Sequence, residues 1–258
     1  MLKKFSLSGI ILIILLLCLS SNSFSQSTEN FDNQMIEGLK KKPLPFFFGL
    51  SYANAVPQNE FMDEMPKVGM GFSINGGWYA DPIPVAVGAE FSFLFNGSTD
   101  SYYEWYWTDP MNHRWYEKDT ASTQNLMMPF NVFVRLQPNI ANIFMPYVEG
   151  IVGLNIWNTS YSYKTSYNYN NKDYDKTDNK TSVAFNYGFG VGFLVKLVDF
   201  VQLPATNVAL CFDARMRYLK GSEIEYSEWK IENDEVKEYT HKSTTDIILT
   251  QIGFTVRF

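Results

Sequence analysis

From Phe46 to the C-terminus, apolar and polar residues alternate with a period of two in eight separate runs. That period marks β-strands, in which successive side chains point to opposite faces. The runs are Phe46–Val56, Lys67–Ala80, Pro84–Asn96, Gln124–Gln137, Ile143–Asn158, Thr181–Leu197, Asn207–Lys220 and Thr244–Phe258. In the last, one face carries Ile248, Thr250, Ile252, Phe254, Val256 and Phe258, and the other Leu249, Gln251, Gly253, Thr255 and Arg257. An alternation held to a terminal aromatic residue suits a strand that closes a membrane barrel, with its aromatic end at the membrane interface.

The connections have a rhythm too. Asp81–Ile83, Pro138–Asn142 and Val198–Thr206 read as turns, Gly97–Thr123, Thr159–Lys180 and Gly221–Ser243 as long loops, and Pro57–Pro66 as intermediate. Short turns on one side and long loops on the other predict an all-β fold: an eight-stranded antiparallel up-and-down transmembrane β-barrel with both termini in the periplasm. Every run exceeds the ~9–11 residues that cross a bilayer at a tilt, so strand ends should project beyond it.

The apolar faces include Val85, Val87 and Phe91 on the third run, Phe130 and Val132 on the fourth, Phe185 and Phe189 on the sixth, and Phe212 and Met216 on the seventh. Between them lie Glu90, Asn131, Arg135, Asn186, Gly188, Gly190, Gly192, Asp213, Arg215 and Arg217. A soluble barrel would turn the apolar face inward, whereas a lipid-embedded one inverts the order. Periodicity alone does not separate the two. The N-terminus favours the membrane: basic Met1-Leu2-Lys3-Lys4, then the apolar run Phe5–Leu19, too short for the ~20 residues of a membrane-spanning helix. Ser23-Phe24-Ser25 offers small residues where a signal peptidase reads, which predicts cleavage before Gln26. Cys18 follows Leu15-Leu16-Leu17 and lacks the small residue that precedes a lipidated cysteine. The expected organisation is a signal peptide (1–25), a periplasmic N-terminal segment (26–45) carrying Lys40-Lys41-Lys42, and an outer-membrane barrel domain (46–258).

With that strand rhythm, the stretches Pro146-Tyr147-Val148-Glu149-Gly150-Ile151-Val152-Gly153 and Tyr187-Gly188-Phe189-Gly190-Val191-Gly192 and the closing Phe258, the chain resembles the small outer-membrane β-barrels related to the transmembrane domain of outer membrane protein A. The resemblance spans about Phe46 to Phe258. It implies export through the periplasm to the outer membrane of a Gram-negative-type bacterium. The partners it implies are the lipid bilayer and the barrel-assembly machinery, with Phe254, Val256 and Phe258 as the barrel-closing terminal signal. These features mark a fold better than a function.

Charge and cysteine content narrow the classes. A net charge of −6 gives no support to nucleic-acid binding. Of two cysteines only Cys211 survives cleavage, which excludes an internal disulfide. Glu90, Glu149 and Asp213 sit at similar depths on the lumenal face, Arg135 and Arg257 lie near periplasmic strand ends beside Lys196, and Arg215 and Arg217 sit higher. Buried charges need partners, so these residues form the expected lumenal charge network. In so narrow a barrel they read as a structural plug, the alternative being a gated ion path.

Outside the membrane, Tyr102-Tyr103-Glu104-Trp105-Tyr106-Trp107 and Arg114-Trp115-Tyr116 flank an Asp109-Pro110 turn, the pattern of a hairpin. Trp105, Tyr106, Trp107, Trp115, Tyr116 and Trp229 are the candidate recognition residues for a surface glycan or protein; the alternative is an interfacial aromatic belt, which Trp78, Tyr79 and Tyr218 fit. Asn171, Asp173, Asp175 and Asp178 hold oxygens at calcium-like spacing without the glycine of a tight calcium loop, so no metal and no cofactor is expected. The two histidines, His113 and His241, are both external; Ser222, Ser243 and Asp246 near His241 do not amount to a catalytic pattern, and no catalytic residue is expected. Three roles stay open for a monomeric barrel: structure or surface recognition, a small channel, and an accessory to envelope secretion or assembly docking through Lys40–Lys42.

Overall fold

The structure, a computed structural model, describes residues 45–65, 67–80, 83–138, 143–167, 174–203, 206–232 and 235–258. The predicted signal peptide, Lys40–Lys42, the Asp81-Pro82 turn, most of the Pro138–Asn142 turn, Asn171 and Asp173 lie outside the described residues, as do the side chains of Asp175 and Trp229. The elements in chain order are β1 (Phe46–Pro57), α1 (Glu60–Glu64), β2 (Gly69–Tyr79), β3 (Val85–Thr108), β4 (Arg114–Leu136), β5 (Phe144–Tyr167), β6 (Tyr174–Leu203), β7 (Thr206–Gly221), β8 (Glu223–Glu232), β9 (Glu235–Thr244) and β10 (Ile247–Arg257).

β1 to β7 and β10 close into an antiparallel barrel in the order β1-β10-β7-β6-β5-β4-β3-β2, while β8 and β9 form a two-stranded sheet of their own. β1 and β10 pair from Phe47↔Arg257 to Pro57↔Ile247. At the seam Phe46 and Phe258 exchange backbone hydrogen bonds of 3.1 and 3.0 Å, and their rings stack at 6.1 Å. Closure leaves the membrane-embedded backbone with no unpaired edge, the condition for crossing lipid with strands.

The barrel is apolar outside and charged inside. Phe72, Phe130, Phe189 and Phe254 are 48–61 % exposed, whereas Glu90, Arg135 and Arg217 are at most 1 % exposed. In water this arrangement would leave a belt of large apolar side chains solvated, at roughly 1.5–3 kcal/mol each. A bilayer removes that cost, so the order of faces identifies the solvent as lipid. The lipid-facing and lumen-facing sets expected from the alternation sit as expected, with one exception. Tyr79 turns inward: its hydroxyl donates to Gln137 at 3.0 Å and its ring lies 5.2 Å from that of Phe47.

The largest differences from the sequence reading lie above the membrane. The hairpin expected around Asp109-Pro110 is present, and its arms and the segment from Thr159 extend the barrel strands: β3 to β6 run for 24, 23, 24 and 30 residues and stay paired far beyond the apolar band. On the periplasmic side the Val198–Thr206 turn is shorter than read, since β6 continues to Leu203 and β7 begins at Thr206. Tyr, Thr and Trp in these segments favour strands, and pairing satisfies backbone groups that a loop would leave to water. Gly221–Ser243, a long external segment whose Glu232–Glu235 centre reads as a hairpin tip, is that hairpin: β8 and β9 pair from Glu223↔Thr244 to Glu232↔Glu235, and what the sequence did not show is that they pack against β3 to β6. α1, absent from the sequence reading, sits in the β1–β2 connection and buries Phe61.

A β-bulge sets the faces of the outer part of β3. Phe95 pairs with Leu126 and Ser98 with Gln124, so Asn96 and Gly97 oppose the single residue Asn125. Gly97 takes φ +84° there, a value a side chain resists. The extra residue reverses the parity of β3. Below the bulge, Glu90, Ser92 and Leu94 face inward; above it the lumenal side continues through Tyr103, Trp105 and Trp107, and the lipid-facing side through Tyr102, Glu104 and Tyr106. Replacing Gly97 with Val forces a β-branched residue into the left-handed region, and its Cβ meets Lys67 Cδ at 2.8 Å. Urea unfolding of the refolded barrel should show a loss of about 1–3 kcal/mol with strand content kept.

Candidate functional site: the barrel interior and the protruding hairpin

The lumenal charges come together in one network, in which Arg217 and Arg215 on β7 reach across the barrel to Glu90 on β3. Arg217, on β7, donates from Nε to Glu149 Oε2 at 2.8 Å and pairs with Glu90 on β3. Arg135, on β4, contacts Glu149 Oε1 from Nε at 2.8 Å and from Nη2 at 2.7 Å. Arg215 reaches Glu90 Oε2 at 2.6 Å and Asp213 Oδ2 at 3.8 Å. The order Arg135–Glu149–Arg217–Glu90–Arg215–Asp213 alternates in sign along one chain of contacts, with each of these side chains at most 1 % exposed. Charge-assisted bonds of this kind are the strong ones, and each of these six charges has an opposite partner. Arg257 stands apart from this chain: its guanidinium lies 4.4 Å from the centre of the Tyr79 ring and contacts Met145 Sδ at 3.2 Å. At the periplasmic rim, among the described residues, an aromatic face rather than a carboxylate holds it.

Neutral groups that the sequence reading did not single out complete the network. Gln251 accepts from Arg215 Nε at 2.7 Å and donates to Glu90 at 2.9 Å and to Ser73 at 2.7 Å. The Tyr147 hydroxyl donates to Asp213 at 2.5 Å, and Thr255 to the other oxygen of that carboxylate at 3.2 Å. Arg135 packs its guanidinium 3.9 Å from the centre of the Tyr147 ring. The small face of β6 makes room: a Cβ on Gly190 would sit 2.7 Å from Arg217 Cγ, and one on Gly192 2.5 Å from Tyr147 Cζ. The signal for these partners was present as glycine opposite long side chains, but which ones met depended on register.

Above the charges the interior turns apolar. Trp157 is 1 % exposed, with Phe61 of α1 edge-on at 5.5 Å and Tyr226 of β8 at 6.5 Å. The β8–β9 hairpin is held over this layer by specific contacts. Tyr161 OH donates to the Ser227 carbonyl at 2.8 Å and accepts from its N–H at 3.1 Å. His241 Nδ1 lies 3.2 Å from Glu64 Oε2, its ring stacked on Tyr226 at 5.4 Å. Burial, then Glu64, pushes the Tyr226 hydroxyl well above the ordinary tyrosine range. Lys180 closes on Glu225 at 3.1 Å.

The β3–β4 hairpin stands clear of the barrel. Tyr106 pairs with Tyr116 and Trp107 with Trp115. Trp105, Tyr106 and Tyr116 are exposed, and Trp107 and Trp115 half-buried. At its tip Asp109 accepts from the N–H groups of Met111 and His113 at 2.8 Å and contacts His113 Nδ1 at 2.9 Å. The bulge separates the aromatic residues: Tyr106 and Tyr116 share the outer face with Glu104 and Lys118, and the three tryptophans share the inner one.

A closed barrel with an inverted surface meets a matching observation in sequence: the family model described as outer membrane protein beta-barrel domain matches residues 14–236. The chain belongs to that family. This outer-membrane barrel protein therefore sits in the outer membrane of a Gram-negative-type bacterium. No curated protein matches it in sequence. Among solved structures it is similar to Neisserial surface protein A, at 11 % identity and a TM-score of 0.36, covering 82 % of this chain and 94 % of that one. It is also similar to Ail, the attachment invasion locus protein of Yersinia pestis, at 13 % identity, TM-score 0.34 and coverages of 83 % and 97 %. A third is a major outer membrane protein from Thermus thermophilus, at 12 % identity, TM-score 0.35 and coverages of 82 % and 99 %.

The remaining polar candidates of this outer-membrane barrel are engaged locally. Ser222 Oγ accepts from the Phe185 N–H at 2.9 Å, Ser243 Oγ donates to the Thr244 carbonyl at 3.1 Å, and Asp246 accepts from Asn59 at 2.8 Å and from the Gly221 N–H at 3.0 Å. Asp178 accepts from the N–H of Asn179 at 2.8 Å. Among the described residues no three side chains gather as a metal site.

Two outcomes follow. Arg217→Ala should cost about 3–5 kcal/mol in urea unfolding from micelles, because Glu90 and Glu149 each lose a buried partner; an unchanged midpoint would remove Arg217 from the centre of the network. In the hairpin, the bond from Lys118 and then that from Tyr106 hold the Glu104 carboxyl below its ordinary value, and Glu104 raises Lys118 in return. A carboxyl lowered in the folded state stabilises above its unfolded pKa and loses that contribution as pH falls through the folded one. Side-chain NMR should show Glu104 titrating below the usual glutamate range in the parent and moving up towards it in Lys118→Ala, with the Tyr106 bond still holding part of the shift.

Proposed function

We propose that this protein is a non-conducting, non-enzymatic, monomeric outer-membrane barrel whose interior is a plug and whose protruding strands recognise a partner at the cell surface, a protein or a glycan. The observation that carries the plug is the double engagement of Arg217, bonded across the lumen to Glu90 and Glu149. A conduction path would have to break these bonds inside a barrel barely wide enough for its own side chains. The layer of Trp157, Phe61 and Tyr226 above it opposes ion passage a second time, since an apolar constriction sheds water. For catalysis the reading weighs the histidines: His113 is bonded to Asp109 and His241 to Glu64, and neither is bonded to a hydroxyl nucleophile among the described residues. The recognition role draws on exposed aromatic area, with Trp105 50 % and Tyr106 56 % exposed far above the apolar band.

Single-channel recording of the refolded protein in a planar bilayer tests the plug. The parent should be silent, and Arg215→Ala should be silent too but less stable. Steady conductance steps in the parent, or steps that grow in Arg215→Ala, would make the charged interior a gate instead.

A further inference from the structure

The β8–β9 hairpin does not fill the outer mouth completely. Beside it lies a cavity of about 90 Å³, walled by the end of α1, by the lower part of the protruding β3–β4 pair, and by residues of β8 and β9. A single water needs roughly 10–15 Å³ of such space, so there is room for several waters or for one small ring. The cavity sits just outside the apolar layer. Asn125 on its wall pairs with Thr159, two residues beyond Trp157.

Two groups on this wall are fixed at one end and unpartnered at the other. The Trp157 Nε1–H donates to Thr159 Oγ1 at 3.0 Å, and that hydroxyl donates in turn to Asn125 Oδ1 at 3.0 Å. The relay sets the Asn125 amide. Its Nδ2 makes no bond among the described residues, although the side chain is 7 % exposed. His241 is held the same way, with Nδ1 at 3.2 Å from Glu64 Oε2. A carboxylate only accepts, so a neutral His241 donates there and keeps Nε2 as an acceptor. That nitrogen is buried and has no partner among the described residues. Buried polar atoms ordinarily find partners. A donor and an acceptor left over on one cavity wall call for a molecule that supplies both.

The charges of the wall narrow the class of that molecule. Glu64 also accepts from the Tyr226 hydroxyl at 3.4 Å, and Lys67 Nζ donates to the Ser98 carbonyl and, at 2.8 Å, to Thr99 Oγ1. A metal ion finds no set of three ligands among the described residues, and Lys67 on the wall repels it. A phosphate or carboxylate meets Glu64 and Glu228 instead. A neutral hydroxyl compound escapes both repulsions, and each of its hydroxyls donates and accepts at once. Thr123 and Ser227 line the same space with hydroxyls, and Met65 gives an apolar side for C–H groups.

We infer that this cavity binds one neutral monosaccharide, a pyranose whose hydroxyls accept from Asn125 Nδ2 and donate to His241 Nε2. A few placed polar groups fix the orientation of a ligand in such a site. The site goes beyond the recognition proposed for the protruding aromatics, since Trp105 and Tyr106 are not on its wall. A bound ring also joins β4 to β9 and so holds the hairpin over the mouth.

The test titrates the full refolded barrel, in phosphocholine micelles free of sugar headgroups, with methyl glucoside, methyl galactoside and methyl mannoside in turn. Saturation-transfer NMR reads the binding. At least one glycoside should bind saturably at about 1 mM, the range of a small ligand held by a few hydrogen bonds. Thr99 is exposed at the rim, so Thr99→Trp fills the cavity without touching the core and should abolish binding. Asn125→Ala, and His241→Phe, which keeps a ring against Tyr226, should each weaken it about tenfold, the scale of one lost hydrogen bond. Tyr106→Ala should bind like the parent. Absence of saturable binding for all three glycosides, or binding that Thr99→Trp leaves intact, would overturn the inference. So would glycine or inorganic phosphate binding more tightly than the sugars, which would give the cavity to a charged ligand. Binding lost in Tyr106→Ala and kept in Thr99→Trp would overturn it too, and would move the sugar to the protruding hairpin.

Discussion

Charge has no cheap place inside this molecule. The bilayer lies outside the strands, so the polar side chains of each strand must turn inward, and an eight-stranded barrel holds little water to solvate them. The alternating row from Arg135 to Asp213 answers that constraint with each carboxylate facing a guanidinium. Much else depends on it. Glycines on β6 clear volume for Arg217 and Tyr147, and Gln251 occupies the one place where an amide both accepts from Arg215 and donates to Glu90. The row also ties β3, β4, β5 and β7 together, because its members come from strands that are not all neighbours.

The interior is layered along the barrel axis. Aromatic contact holds the cation Arg257 at the periplasmic rim, ion pairs fill the middle, and an apolar layer under α1 and the β8–β9 hairpin fills the top. The last layer is a soluble-protein core in miniature. Its members are far enough from lipid that the ordinary rule, apolar inside, applies again. Trp157 is the hinge between the two regimes: its indole is buried among Phe61 and Tyr226, and its Nε1–H still finds Thr159 at 3.0 Å.

Above the membrane the strands stop being a barrel. β3 to β6 continue as a blade while β2 and β7 end, so the closure that protects backbone groups in lipid is abandoned once water is available to solvate them. One bulge, at Gly97, decides which residues of β3 face which way in that blade. The tryptophans therefore lie on the side continuous with the lumen and the tyrosines on the side continuous with the lipid face.

The strand number, the closing terminal strand and the inverted faces were legible in the sequence, because a period of two is a local property and a lipid-facing strand shows it in every residue. The inward parity of Glu90, Arg135, Glu149, Asp213, Arg215 and Arg217 followed for the same reason. What local pattern does not carry is register. Whether Arg257 meets a carboxylate or Tyr79, whether Gln251 reaches Glu90, and whether Tyr79 faces in or out depend on how strands distant in sequence slide against one another. The segment at 221–243 could be read as an external hairpin but not as a packed one, since only packing against Trp157 and Tyr161 makes Ile224 and Tyr226 buried. The sequence by itself therefore determined that this chain is a barrel and which side of each strand meets lipid. The tertiary structure decided which charges pair, what closes the outer mouth and which edge is left open, because each of these is a contact between strands whose relative position no single stretch of chain encodes.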